Sequence, residues 1–293
     1  MMFASLLFAV MVAMVKEVER DLPVAYAVFA RSAVSLVLSV FLLRRAGLHW
    51  RGNRPGLLAV RGLIGFSALL CTFESLSRIG LSDAVTLHQT QPIWTAILAR
   101  VFLGERTRRR VVLATALALG GIVLVVRPSF LFSAAHPLDP IGVVIALTAA
   151  VLSACAYVSV RALRKTDEPL VVVFWFALIA TPASLPSLLS DLRAPSPSEL
   201  ALLLGIGVAV QGAQMLMTRA LHREPAGRVA AVGYLQVVFA FLFGALLFGE
   251  APSPLTILGA LLIIAGALVA TVERRPTHAH GAQATLDTPP HVG

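Results

Sequence analysis

The chain has 293 residues, 58% of them hydrophobic and only 13% charged, with a mean hydropathy of +0.85. A soluble domain carries roughly 25% charged residues. This composition cannot clothe a water-facing surface, which excludes a soluble enzyme, a nucleic-acid-binding domain and a disordered chain. The formal net charge of +9 comes almost wholly from arginine; in so apolar a chain it marks loops on one side of a membrane rather than a nucleic-acid partner.

A membrane helix needs about 20 mainly apolar residues. Continuous Leu-, Ala- and Val-rich runs fit helices, not the alternating pattern of a membrane barrel. The runs predict ten helices over 3–16, 25–43, 57–77, 81–103, 111–126, 140–160, 169–190, 199–221, 226–248 and 254–272. The first is short and lacks a basic leader, so it is read as a membrane helix and not as a cleaved signal. The second carries Arg31 near its centre. In the third, Arg61 lies toward one end, and Ser67, Cys71, Glu74 and Arg78 share one face by their spacing. The fourth has His88, Gln91 and Thr95 on one face. Its Pro92 clashes with the carbonyl of His88 and lacks an N–H, so a kink is expected there. The eighth has a stripe of Gln211, Gln214 and Thr218, and the ninth carries Tyr234 and Gln236. Cys71 and Cys155 lie inside apolar runs and lack metal-ligand spacing. The polar residues after Arg275 read as a disordered tail whose His278, His280 and His291 are solvated.

Charge sets the orientation. Arg44, Arg45, Arg51 and Arg54, then Arg106 and Arg108–Arg110, then Arg161, Arg164 and Lys165, and finally Arg223, Arg228, Arg274 and Arg275 fall in alternate loops. The positive-inside rule places both termini in the cytoplasm of a multi-pass inner-membrane protein. The chain also repeats itself at an offset of 145 residues: Phe102-Leu103-Gly104-Glu105 matches Leu247-Phe248-Gly249-Glu250, and Gln91, Gly121, Lys16 and Phe29 match Gln236, Gly266, Arg161 and Phe174. Two halves of five helices, an odd number, enter the membrane from opposite sides, the inverted-repeat plan of many carriers. The fold expected is all-α: ten transmembrane helices in two inverted repeats, 1–130 and 131–275, with a tail at 276–293.

The Gly-Glu helix ends, Arg31, Arg61-Gly62, Pro92 and the Gly120-Gly121 to Arg127-Pro128 close together resemble the drug/metabolite transporter superfamily, in particular EamA-type carriers with two EamA repeats, over about residues 3–272. The resemblance implies a carrier working by alternating access and supplies no substrate. Glu74 departs from it, since relatives usually have an aromatic residue near that place.

Polar side chains deep in lipid mark functional paths. Arg31, Glu74, His88, Gln91, Gln214, Tyr234 and Gln236 are therefore the expected solute-binding set, with Glu74 and His88 as a proton-coupling pair across the hairpin at Ile79-Gly80. The alternative is interhelical hydrogen bonding, and Arg31 could instead pair with Glu17 or Glu19. Glu74 and Arg219 are equivalent by the offset but lie at opposite depths, so no pair is expected. Glu105 and Glu250 read as structural. Two arginines and few carboxylates favour an anionic or zwitterionic solute. The expected function is secondary transport of a small metabolite, driven by protons or exchange. A lipid-handling or flippase-type accessory protein is the alternative. No cofactor, metal site or catalysis is expected, since no nucleotide loop, ligand cluster or nucleophile–base spacing is present. The expected partners are solute, lipid and a second copy of the chain, with no nucleic acid; Gly266 and Ala270 are small enough for helix contacts but specify no dimer.

Overall fold

A computed structural model describes residues 1–79, 81–132, 138–189, 193–249 and 253–271. Every described element is a helix: α1 (Met2–Val18), α2 (Val24–Ala46), α3 (Pro55–Ile79), α4 (Leu81–His88), α5 (Gln91–Leu103), α6 (Arg109–Val126), α7 (Ser129–Phe132), α8 (Pro140–Leu163), α9 (Pro169–Leu189), α10 (Pro197–Arg223), α11 (Ala226–Gly233), α12 (Leu235–Phe248) and α13 (Pro254–Thr271). Eight stretches are long and apolar enough to cross a bilayer: α2, α3, α6, α8, α9, α10, α13 and the run Ala226–Leu247. The chain is a polytopic membrane protein. Glu250 and the tail at 276–293 with its histidines lie outside the described residues.

Eight of the ten predicted runs form single helices with ends within about three residues of those read from the sequence. The other two correct the expectation. Run 81–103 divides into α4 and α5 at Gln89-Thr90, and run 226–248 divides into α11 and α12 at Tyr234. Local chemistry sets most ends. Gly47, Gly104 and Gly249 close α2, α5 and α12 at φ of 65°, 66° and 68°, a left-handed turn that costs glycine nothing. Ser196 and Glu199 form a reciprocal capping box at the start of α10, and Asp139 accepts the first free N–H groups of α8.

The strongest packing joins the first half of the chain to the second: α1 lies on α10, α3 on α8, α2 on α9 and α6 on α13. Small residues let α6 and α13 touch. A Cβ on Gly121 would come 2.8 Å from Ile263, and one on Gly266 would come 2.7 Å from the Ala114 carbonyl. Gly266, read as a small residue for helix contacts, makes its contact within the chain. Outward faces carry exposed Val37, Phe41, Leu63, Leu70, Val101 and Phe102, as lipid-facing surfaces do.

Candidate functional site

The two helix breaks meet. Pro92 has no N–H to offer the His88 carbonyl, and the Ile93 N–H turns to Thr90 O (3.0 Å), so the Gln89 carbonyl is released as well. Tyr234, at the other break and 1% exposed, donates its Oη to that carbonyl at 2.7 Å. Gln89 and Tyr234 are 145 residues apart, the offset of the internal repeat. Each break is also held by a serine. Ser5 of α1 donates to the Gly233 carbonyl (3.4 Å), and Ser153 of α8 hydrogen-bonds His88 Nε2 (3.2 Å). His88 and Gly233 are again equivalent by the offset.

Further polar groups lie on α5 and α10, some of them without a hydrogen-bond partner. Gln91 is buried and donates to Thr95 Oγ1 (3.1 Å), while Thr95 Oγ1 donates back to the Gln91 carbonyl (3.0 Å). The Oε1 of Gln214, the Oγ1 of Thr218 and the Nε1 of Trp94 are buried without a hydrogen-bond partner. Gln236 is half-buried on α12. Gln211, on the same stripe as Gln214, has the opposite fate: it accepts from Ser35 and Ser39 of α2 and donates back to Ser39 (3.0 Å). It is interhelical glue.

The charged residues correct the sequence reading. Glu74 does not meet His88. It bonds Arg78 at 2.7 Å on the same helix, with half of its side chain exposed, and Arg78 also reaches Asp139 at 3.7 Å. α3 turns Glu74 toward this exposed edge one helical turn before Arg78, whereas α4 turns His88 toward α8. Arg31 pairs with neither Glu17 nor Glu19. Glu17 bonds Arg20 at 2.9 Å, and Arg31 Nε is buried without a partner. Arg219 lies exposed at the opposite end from Glu74, against Arg45 and Glu168, as the depth argument required.

Sequence reasoning missed a network at the arginine-rich end. Glu105 bonds Arg161 at 2.6 Å, the two side chains 17% and 6% exposed. Glu105 also accepts the Ala226 N–H at 3.0 Å, and Arg161 donates to the Leu221 and His222 carbonyls at 2.9 and 3.0 Å. This hub ties α5 to α8, α10 and α11. Nearby, Asp167 accepts from Asn53 N (2.6 Å), and the Trp175 indole donates to Trp50 O (2.9 Å). The only advance signal was that Glu105 matches Glu250 and Arg161 matches the basic Lys16. Cavities of about 390, 400 and 420 Å³ open at this end, and none is lined by the predicted site residues.

Facing broken helices and buried, unpartnered polar groups in a many-helix membrane bundle are features that transporters share. The chain belongs to the EamA-like transporter family, whose model matches residues 1–127 and again 140–272. It is 36% identical over 262 residues to the pseudopaline exporter CntI of Pseudomonas aeruginosa, covering 89% of this chain and 90% of that protein. It is 28% identical over 283 residues to solute carrier family 35 member G1 of Mus musculus, covering 92% of this chain and 77% of that one. A solved crystal structure at 20% identity superposes with a TM-score of 0.78 over 92% of this chain and 94% of the other, a likeness of fold.

Proposed function

We propose that the protein is a secondary carrier that exports a small water-soluble metabolite across the cytoplasmic membrane by alternating access. The observation that carries this reading is the crossing of two broken helices at equivalent positions, Gln89 and Tyr234. Broken helices leave backbone groups for a solute at the centre of inverted-repeat carriers. The direction follows the relative named as a pseudopaline exporter. Ten spans are assigned by adding α1 and the interrupted α4–α5 stretch to the eight long ones. Inversion is supported by the packing. Under the 145-residue offset the α1–α10 pair maps onto α8–α3, while α2–α9 and α6–α13 map onto themselves. The arginine-rich end and both termini are assigned to the cytoplasm, and the repeats to residues 1–130 and 131–275. Gln91, Gln214, Tyr234, Gln236, His88 and Arg31 form the solute set.

Alternating access closes one end while the other opens. The Glu105–Arg161 hub serves as the cytoplasmic latch. In the sequence the offset maps it onto Glu250 and Lys16. Mass spectrometry of medium and cells tests the function in a host expressing the wild type or Gln91→Ala. A metabolite should move from cells to medium with the wild type and less so with the variant. Unchanged medium, together with labelled phospholipid flipping in liposomes holding the wild type, would replace the carrier with the lipid-handling alternative.

A further inference from the structure

Arg61 lies on α3, six residues from its first, about 9 Å into the bundle at 1.5 Å per residue. It is 3% exposed, and its Nε and Nη1 are buried without a hydrogen-bond partner. Its guanidinium sits 4.6 Å over the ring of Phe176 on α9. Gly65, one turn further on, makes the space: a Cβ there would come 3.1 Å from Arg61 Nη1 and 3.2 Å from the Phe176 ring. Tyr157 of α8 is in electrostatic reach. The ring face accounts for part of the charge but accepts neither N–H.

Most carboxylates of the described residues are engaged elsewhere. Glu17, Glu74, Glu105, Glu199 and Glu224 each hold another arginine, and Asp139 shares Arg78. Asp83 accepts the Ser129 N–H and hydroxyl, and Asp167 accepts Asn53 N. No described carboxylate pairs with Arg61. Nor does the repeat require the residue. Its equivalent is Ile206, and Phe176, the ring beneath it, is the equivalent of Arg31. Arg31 is recessed about as far from the other end, seven residues into α2, with Nε likewise unpartnered. Arg61 and Arg31, recessed from opposite ends of the bundle, are therefore two cations to which no described carboxylate is paired. A buried charge whose counter-charge is missing is strongly unfavourable, unless the counter-charge arrives with a ligand.

We infer that Arg61 is the anchoring group for a negatively charged solute bearing a carboxylate or phosphate, and that Arg31 meets the same group nearer the opposite end. This rests on the carrier reading of the same site. Chain-length and planar geometry favour arginine over lysine for holding such oxyanions.

The test is thermal unfolding of the full chain in nanodiscs at constant ionic strength. The probes are succinate, inorganic phosphate and uncharged succinamide, against wild type, Arg61→Gln and Arg61→Lys. The anions should raise the melting temperature of the wild type and succinamide should not. Arg61→Gln should weaken anion binding roughly 30-fold or more, and Arg61→Lys should retain part of it, which shows that a folded variant was read. Wild type indifferent to both anions, succinamide equal to succinate, or Arg61→Gln with the full anion shift would each overturn the inference and leave Arg61 as packing on Phe176. The carrier reading fails differently, if proteoliposomes holding the wild type exchange no solute of any charge.

Discussion

At the residue scale, two side chains one helical turn apart can have opposite roles, as Gln211 and Gln214 do. Their shared stripe was plain in the sequence. That Ser35 and Ser39 of α2 would satisfy the first and leave the second unmet was not, because the partners lie on a distant segment. Tyr234→Phe removes one donor and leaves the Gln89 carbonyl with no partner at the break. Such a change costs about 1–3 kcal/mol and should show as a lower melting temperature together with a loss of transport. Glu74→Gln should do neither. Its partner Arg78 is on the same helix turn and the pair is about half exposed, a setting worth roughly 0–1 kcal/mol. Melting within error of the wild type and an unaltered pH profile of transport are the expected readings. A lost pH dependence would restore Glu74 as a proton carrier.

At the element scale, hydrophobic length announced nearly all of the helices, since lipid forces every backbone group to bond within its own segment. The interruptions were legible only in part. Pro92 gave notice of the first, with the release of the His88 carbonyl, though the break falls at Gln89-Thr90. The second had no proline to announce it; only Gly233, beside Tyr234, hinted at weakness. The α6–α13 crossing depends on residues without bulk. Gly121→Leu should therefore force the helices apart, with a cost of about 1–3 kcal/mol or more for overpacking. The same change at Gly120, where a Cβ meets nothing within 4 Å, should be tolerated. Thermal melting of the two variants side by side checks the contrast.

At the scale of the whole molecule, the Glu105–Arg161 pair is the proposed latch of the arginine-rich end. Breaking a buried ion pair by removing one partner costs roughly 3–5 kcal/mol, so Arg161→Ala should populate the form open at the arginine-rich end. A cysteine placed at Thr218, fully buried in this structure, should then label faster from that side. Labelling at the wild-type rate would show that the pair does not hold that end shut. The repeat itself was readable from the spacing of two Gly-Glu steps. The contact between Glu105 and Arg161 was not, because it joins residues 56 apart through the packing of α5 on α8.

The bond from Tyr234 to the Gln89 carbonyl joins a position to its own copy. Such a meeting happens only on the axis that relates two duplicated units. The donor is a side-chain hydroxyl and the acceptor a backbone carbonyl, and of the two positions only Tyr234 carries a hydroxyl. The bond therefore runs one way, from the second copy to the first, and the centre of the molecule is handed although its halves share one plan.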